Sequence, residues 1–171
     1  MLKKGDIIIY PPYGLGHVLG VIEMDVDGNK RAMYKISLKN GHSTIMLPIE
    51  NEERIGIRKL ITKTTAQNVL RRIKIREIDL KDNWNKRYRD HLELVKSNEI
   101  KNLVKVLEEL AFIHKVRGLS SRDKQLFIQD IKVVADEVRF VLNRDINDVM
   151  KILKKKLEIE KAYDEGGDLW F

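Results

Sequence analysis

The sequence predicts an α+β protein: a small β-barrel over residues 1–60, then an all-α module of about five helices over 63–162. Three observations lead there. Apolar runs in the first sixty residues are short and broken by turn residues, among them Asp27-Gly28 and Asn40-Gly41. After Thr62 the apolar residues recur at helical spacing instead. At 171 residues and 43 % hydrophobic content, the chain can bury one or two small cores.

Asp6-Ile7-Ile8-Ile9-Tyr10 is a β-branched run, which Pro11-Pro12-Tyr13-Gly14 ends with turn chemistry. Gly14 to Met24 is a second strand. Asp25-Val26-Asp27-Gly28-Asn29 marks a hairpin, because Asp-Gly accepts positive φ. Ala32 to Leu38 sets Met33, Lys35 and Ser37 against Tyr34, Ile36 and Leu38. Asn40-Gly41 turns the chain again. Thr44 to Pro48 is a fourth strand and Gly56 to Ile61 a fifth.

In the helical half, Thr64-Thr65-Ala66-Gln67 reads as a capping box opening a helix through Ile73. Asp82 is the expected cap of the next helix, Trp84 to about Ser97. Ile100, Leu103, Val104, Leu107, Leu110 and Ala111 form a stripe that Arg117-Gly118 stops, with Gly118 expected in the αL conformation. Ser120 with Asp123 caps the helix of Phe127, Ile131, Val134 and Val138. Asp145 caps the last, with Val149, Leu153 and Leu157. Residues 163–171 read as a flexible tail, with docking of Trp170 and Phe171 into a groove as the alternative.

The net charge is +7, and the excess is local. Residues 1–62 carry nine Lys/Arg against seven Asp/Glu, and 106–171 carry twelve against thirteen. Residues 63–105 carry twelve against six. A basic segment of this kind favours a polyanion, although a solvated helical surface has the same composition. Within it, Trp84 begins a predicted helix and Lys86, Arg87 and Arg89 follow. Cations hold phosphates, and an exposed indole stacks on bases or wedges between them. The competing reading places Trp84 in the core, as a staple at the helix start.

No catalytic constellation stands out. His17, His42, His91 and His114 lack the i,i+4 spacing of a zinc pair, and surface or strand-edge positions are their default. Gly14-Leu15-Gly16 lacks the third glycine and the following helix of a dinucleotide fingerprint. There is no phosphate-binding P-loop, and no carboxylate is marked by an apolar setting. Cysteine is absent, which removes disulfides and thiolate metal sites. The chain therefore reads as a non-enzyme with no cofactor, no metal and no small-molecule substrate. No run approaches the ~18 apolar residues of a membrane span. Met1 to Gly5 lacks a signal-peptide pattern, so a soluble, cytoplasmic protein is expected.

Several segments, in order, resemble the CarD/CdnL transcription regulators of bacteria. They are Lys4-Gly5-Asp6 through Pro11-Pro12-Tyr13-Gly14-Leu15-Gly16, Leu47-Pro48-Ile49-Glu50-Asn51, Ile55-Gly56-Ile57-Arg58, Asn83-Trp84-Asn85-Lys86-Arg87-Tyr88 and Arg117-Gly118-Leu119-Ser120. The resemblance runs from about residue 4 to 160. It implies a Tudor-like barrel, similar to the polymerase-interacting domain of transcription-repair coupling factor, that docks on the RNA polymerase β subunit. It implies that the helical module meets promoter DNA at the upstream bubble edge without reading sequence. Trp84 would then be a minor-groove wedge, with Lys86, Arg87 and Arg89 on phosphates. Two positions depart from the family: arginines that contact polymerase in relatives correspond here to Met46 and Met24, the latter followed by Asp25 and Val26. Met24, Val26 and Met46 are therefore the candidate polymerase contacts, on a more apolar face. The rival readings are a free-standing nucleic-acid-binding accessory with an SH3-like barrel, and a protein–protein adaptor.

Overall fold

The computed structural model describes residues 1–11, 13–38, 43–81 and 83–159. The Asn40-Gly41 turn, His42, Asp82 and the tail with Trp170 and Phe171 lie outside them. The chain divides into two compact units, one of Met1–Leu60 and one beginning at Ile61.

The first unit is a five-stranded antiparallel sheet, the Tudor-like half of the predicted α+β fold. Its strands are β1 (Ile7–Tyr10), β2 (Gly14–Val26), β3 (Asn29–Leu38), β4 (Thr44–Pro48) and β5 (Arg58–Lys59), in the order β4-β3-β2-β1-β5. Asp27 and Gly28 both have positive φ, 54° and 78°. That two-residue turn lets pairing run to Val26↔Asn29, so both strands are longer than their apolar runs suggest. A bulge between Val18 and Gly20 bends β2, which pairs with both β1 and β3. The sheet thereby covers a core of Leu2, Ile8, Val18, Tyr34, Ile36 and Leu47. A Cβ on Gly16 would meet Ile36 Cγ2 at 2.9 Å, so close packing accounts for that glycine. Tyr34 is fully buried; its hydroxyl accepts from Leu2 N–H (3.0 Å) and donates to Glu52 (2.8 Å).

The segment after β4 departs from expectation. A 3₁₀ turn (Ile49–Asn51) leads into a short helix, α1 (Glu52–Ile55). Gly56 is the left-handed cap of α1, with φ 75° and ψ 31°, and not the first residue of a strand. The fifth strand therefore shrinks to Arg58–Lys59.

The second unit contains α2 (Lys63–Arg72), α3 (Trp84–Lys96), α4 (Ile100–Arg117), α5 (Ser121–Leu142) and α6 (Ile146–Lys156). The cap of α2 is Thr62, whose Oγ accepts from Thr65 N–H at 3.1 Å; Thr64 lies inside the helix. Ser120 and Asp145 cap α5 and α6 as their spacing predicts. Gly118 ends α4 with φ 78° but ψ 164°, an extended exit where an αL turn was expected. The central helix is α5, which packs on α2, α4 and α6, while α3 packs on α4. Leu103, Leu107, Leu110, Phe127, Ile131, Val134, Val138 and Leu153 are all buried in one core.

Four carboxylates are buried here that no apolar setting in the sequence marked: Glu108, Glu109, Asp130 and Glu137. Two of them serve backbone that no helix satisfies. Glu137 accepts from Ile61 N–H at 3.0 Å. Glu108 accepts from Lys74 N–H (3.2 Å) and from the Arg76 guanidinium (3.1 Å), holding the extended stretch that follows α2. Among the described residues, no helix is long and apolar enough to cross a membrane, and no His/Cys/Asp/Glu group could hold a metal ion.

Candidate nucleic-acid interface

The first turn of α3 carries the candidate wedge. Asn83 is its N-cap, with the side-chain oxygen accepting from Asn85 N–H at 2.9 Å. Capping by Asn83 places Trp84 at the first helical position, and its side chain is 54 % exposed. The indole is therefore not a core staple. The only buried residue of α3 is His91, about two turns beyond Trp84. Its Nε2 lies 2.9 Å from Glu109 Oε2 of α4, and Lys105 stands 3.8 Å from the other Glu109 oxygen. Burial pushes the Glu109 carboxyl up, but the His91 hydrogen bond and the charges of His91, Lys105 and Arg76 outweigh it, so its pKa is lowered. This histidine departs from the surface default.

Trp84 and Arg87 share a recess of about 330 Å³ with Ile113, Arg117, Leu119, Ser120 and Asp123, whose carboxylate accepts from the Ser120 hydroxyl. Two sequence segments some thirty residues apart thus meet: the start of α3 and the Arg117-Gly118-Leu119-Ser120 link between α4 and α5. Nη1 of Arg87 is buried there and has no hydrogen-bond partner among the described residues. A guanidinium nitrogen out of water without an acceptor is unfavourable.

Arg89 does not join that group. It lines a separate recess of about 500 Å³ with Asn83, Asn85, Tyr88, Leu92 and Arg122. Lys86 is exposed and lines neither recess. Helical geometry explains the split, since about 100° per residue puts Arg87 beside Trp84 and turns Lys86 nearly to the opposite side. Arg117 and Arg122 were not singled out as site residues from the sequence. Their only signal was the Arg117-Gly118-Leu119-Ser120 segment, whose spacing from Trp84 along the chain hides their approach in space.

In the first unit, Met24 pairs with Arg31, Val26 with Asn29 and Met46 with Lys35. Arg31, Asn29 and Lys35 are an even number of residues apart on β3, so the three candidate positions lie on one face of the sheet. That face is opposite to Tyr34 and Ile36. Met24 and Met46 are 37 % and 39 % exposed. Four residues of β3 separate their partners, a span of about 13 Å. β4 is an edge strand.

Comparison with known proteins agrees with this two-part geometry. Residues 2–61 match the family described as "CarD-like/TRCF RID domain". Residues 68–154 match "CarD, C-terminal domain". The chain is also 22 % identical over 141 residues to "Putative transcription factor YdeB" of Bacillus subtilis (strain 168), covering 82 % of this chain and 92 % of that protein. With both domains matched in order, and the C-terminal match spanning about half of its length, the chain belongs to the CarD/CdnL family of transcription regulators.

Proposed function

We propose that this protein binds RNA polymerase through its β unit and stabilises the promoter open complex through its helical unit, with Trp84 as a wedge at the upstream edge of the bubble. The observation that carries this reading is a half-exposed indole lining one recess with Arg87, whose buried Nη1 has no hydrogen-bond partner among the described residues. The indole supplies a stacking surface and the guanidinium a phosphate ligand. An unstacked base step accepts the ring at lower cost than an intact duplex. That differential affinity is what shifts closed complex towards open. A base-stacking contact is worth roughly 1–3 kcal/mol, and about 1.4 kcal/mol is tenfold in an equilibrium. Tethering by the β unit raises the local concentration of the helical unit at the promoter. The polymerase contact is assigned to the β subunit, meeting the β4 edge and the face of Met24, Val26 and Met46. An edge strand can accept a partner strand, with apolar side chains setting the fit.

Trp84→Ala tests the reading. It should shorten the half-life of the open complex by about fivefold to a hundredfold while leaving polymerase binding intact. An unchanged half-life, with the variant bound, would remove the wedge. A protein–protein adaptor would show no salt-dependent binding to DNA at all.

A further inference from the structure

The recess on the other flank of the α3 start is built differently from the one beside Trp84. The two share no residue. Around the second stand Asn83, Asn85, Tyr88 and Leu92, with Arg89 reaching in from α3 and Arg122 from the first turn of α5. Among the described residues, no carboxylate lines it. Neither Arg89 nor Arg122 makes an ion pair among the described residues. The acid next to Arg122, Asp123, is instead engaged by the Ser120 hydroxyl, which donates to it at 2.8 Å. Two arginines from different helices thus line one open recess, with no counter-charge among its described lining residues.

We propose that Arg122, together with Arg89, binds a backbone phosphate of the DNA, a contact separate from the Trp84 recess. It rests on the reading of the helical unit as a DNA interface, in which the resemblance already puts Arg89 on a phosphate, and adds to that reading Arg122. A phosphate diester carries one negative charge and two free oxygens. The planar, five-donor guanidinium matches those oxygens, and two such groups converging on one anion relieve their mutual repulsion. The contact reads no base. It grips duplex and melted DNA alike, whereas the indole distinguishes them. Grip and discrimination are thereby divided between the two flanks of one helix start.

The test measures binding of the full-length chain to two DNA probes of the same sequence, one fully paired and one with a melted segment, across a salt series. Arg122→Ala and Arg89→Ala should each weaken binding to both probes by the same factor and lower the salt slope by about one. Arg122→Lys should keep the slope and bind more weakly than the parent. Lys132→Ala, an exposed cation elsewhere on α5, should leave the slope unchanged. If Arg122→Ala leaves the slope intact while Arg87→Ala lowers it, the Arg122 assignment alone is wrong. If Lys132→Ala lowers the slope as much as Arg122→Ala, the effect is one of net charge and the clamp is overturned. If the parent chain binds neither probe with a salt slope, the DNA interface falls and the clamp with it.

Discussion

Asp130 is 2 % exposed in the middle of α5, and neither of its carboxylate oxygens has a hydrogen-bond partner among the described residues. Desolvation pushes its pKa well above the usual carboxylate range. The folded state therefore holds a proton that the unfolded chain releases, and stability declines as pH rises from the ordinary aspartate value towards the folded one. Each pH unit in that window is worth about 1.4 kcal/mol. Asp130→Asn keeps the shape and removes the ionisation. Urea unfolding at pH 4 should find the two proteins similar, and at pH 8 the variant should be the more stable; a difference that does not grow with pH would show the carboxyl to be paired. Trp84 behaves oppositely at the same scale. Its ring already meets water, so Trp84→Ala should leave the melting temperature nearly unchanged, where truncating a buried aromatic costs roughly 3–5 kcal/mol. Trp84 could be singled out by residue type and charged company. Asp130 could not, because its burial comes from helices remote in sequence.

At the scale of elements, α3 is the one helix of the second unit, among the described residues, with no buried apolar residue. His91 is its only buried residue, and Tyr88, Leu92, Leu94 and Val95 are partly covered. The His91–Glu109 contact consequently positions the whole helix, and with it the Trp84 end. His91→Leu would leave Glu109 buried beside Lys105 alone, at a cost of about 1–3 kcal/mol. Amide hydrogen exchange should accelerate in α3 well beyond any change in α4 or α5. Equal acceleration in all three would mean that the contact supports the core generally. The depressed Glu109 pKa sets the pH sense: this support is complete above the carboxyl's unfolded value and is lost as pH falls through the lowered folded one. The caps teach a related lesson. Thr64 is the cap that the local pattern offers, but Thr62 takes that place and α2 begins at Lys63, with Ala66, Val69 and Leu70 buried in the core.

For the whole molecule, the two units predict separable losses. Met46→Glu places a charge on the exposed face of an edge strand without disturbing Tyr34 or Ile36 behind it. It should weaken binding to polymerase and leave salt-dependent DNA binding by the isolated protein as it was. A variant that binds polymerase with full affinity would move the contact elsewhere on the β unit.

The amino-acid sequence alone determined the succession of strands and helices along the chain, the Ser120 and Asp145 caps, the basic segment around Trp84 and the family resemblance. All of these are local: period two against period 3.6, a turn residue, a short motif. Tertiary structure decided the rest. It put His91 against Glu109, left Asp130 unpaired in a core, and replaced the start of β5 with the Gly56 cap. It also brought Arg117 to the recess of Arg87 and Arg122 to that of Arg89. The physical reason is the same in each case. A side chain's charge, partner and exposure are set by whichever helix or strand packs against it, and that neighbour lies far along the chain.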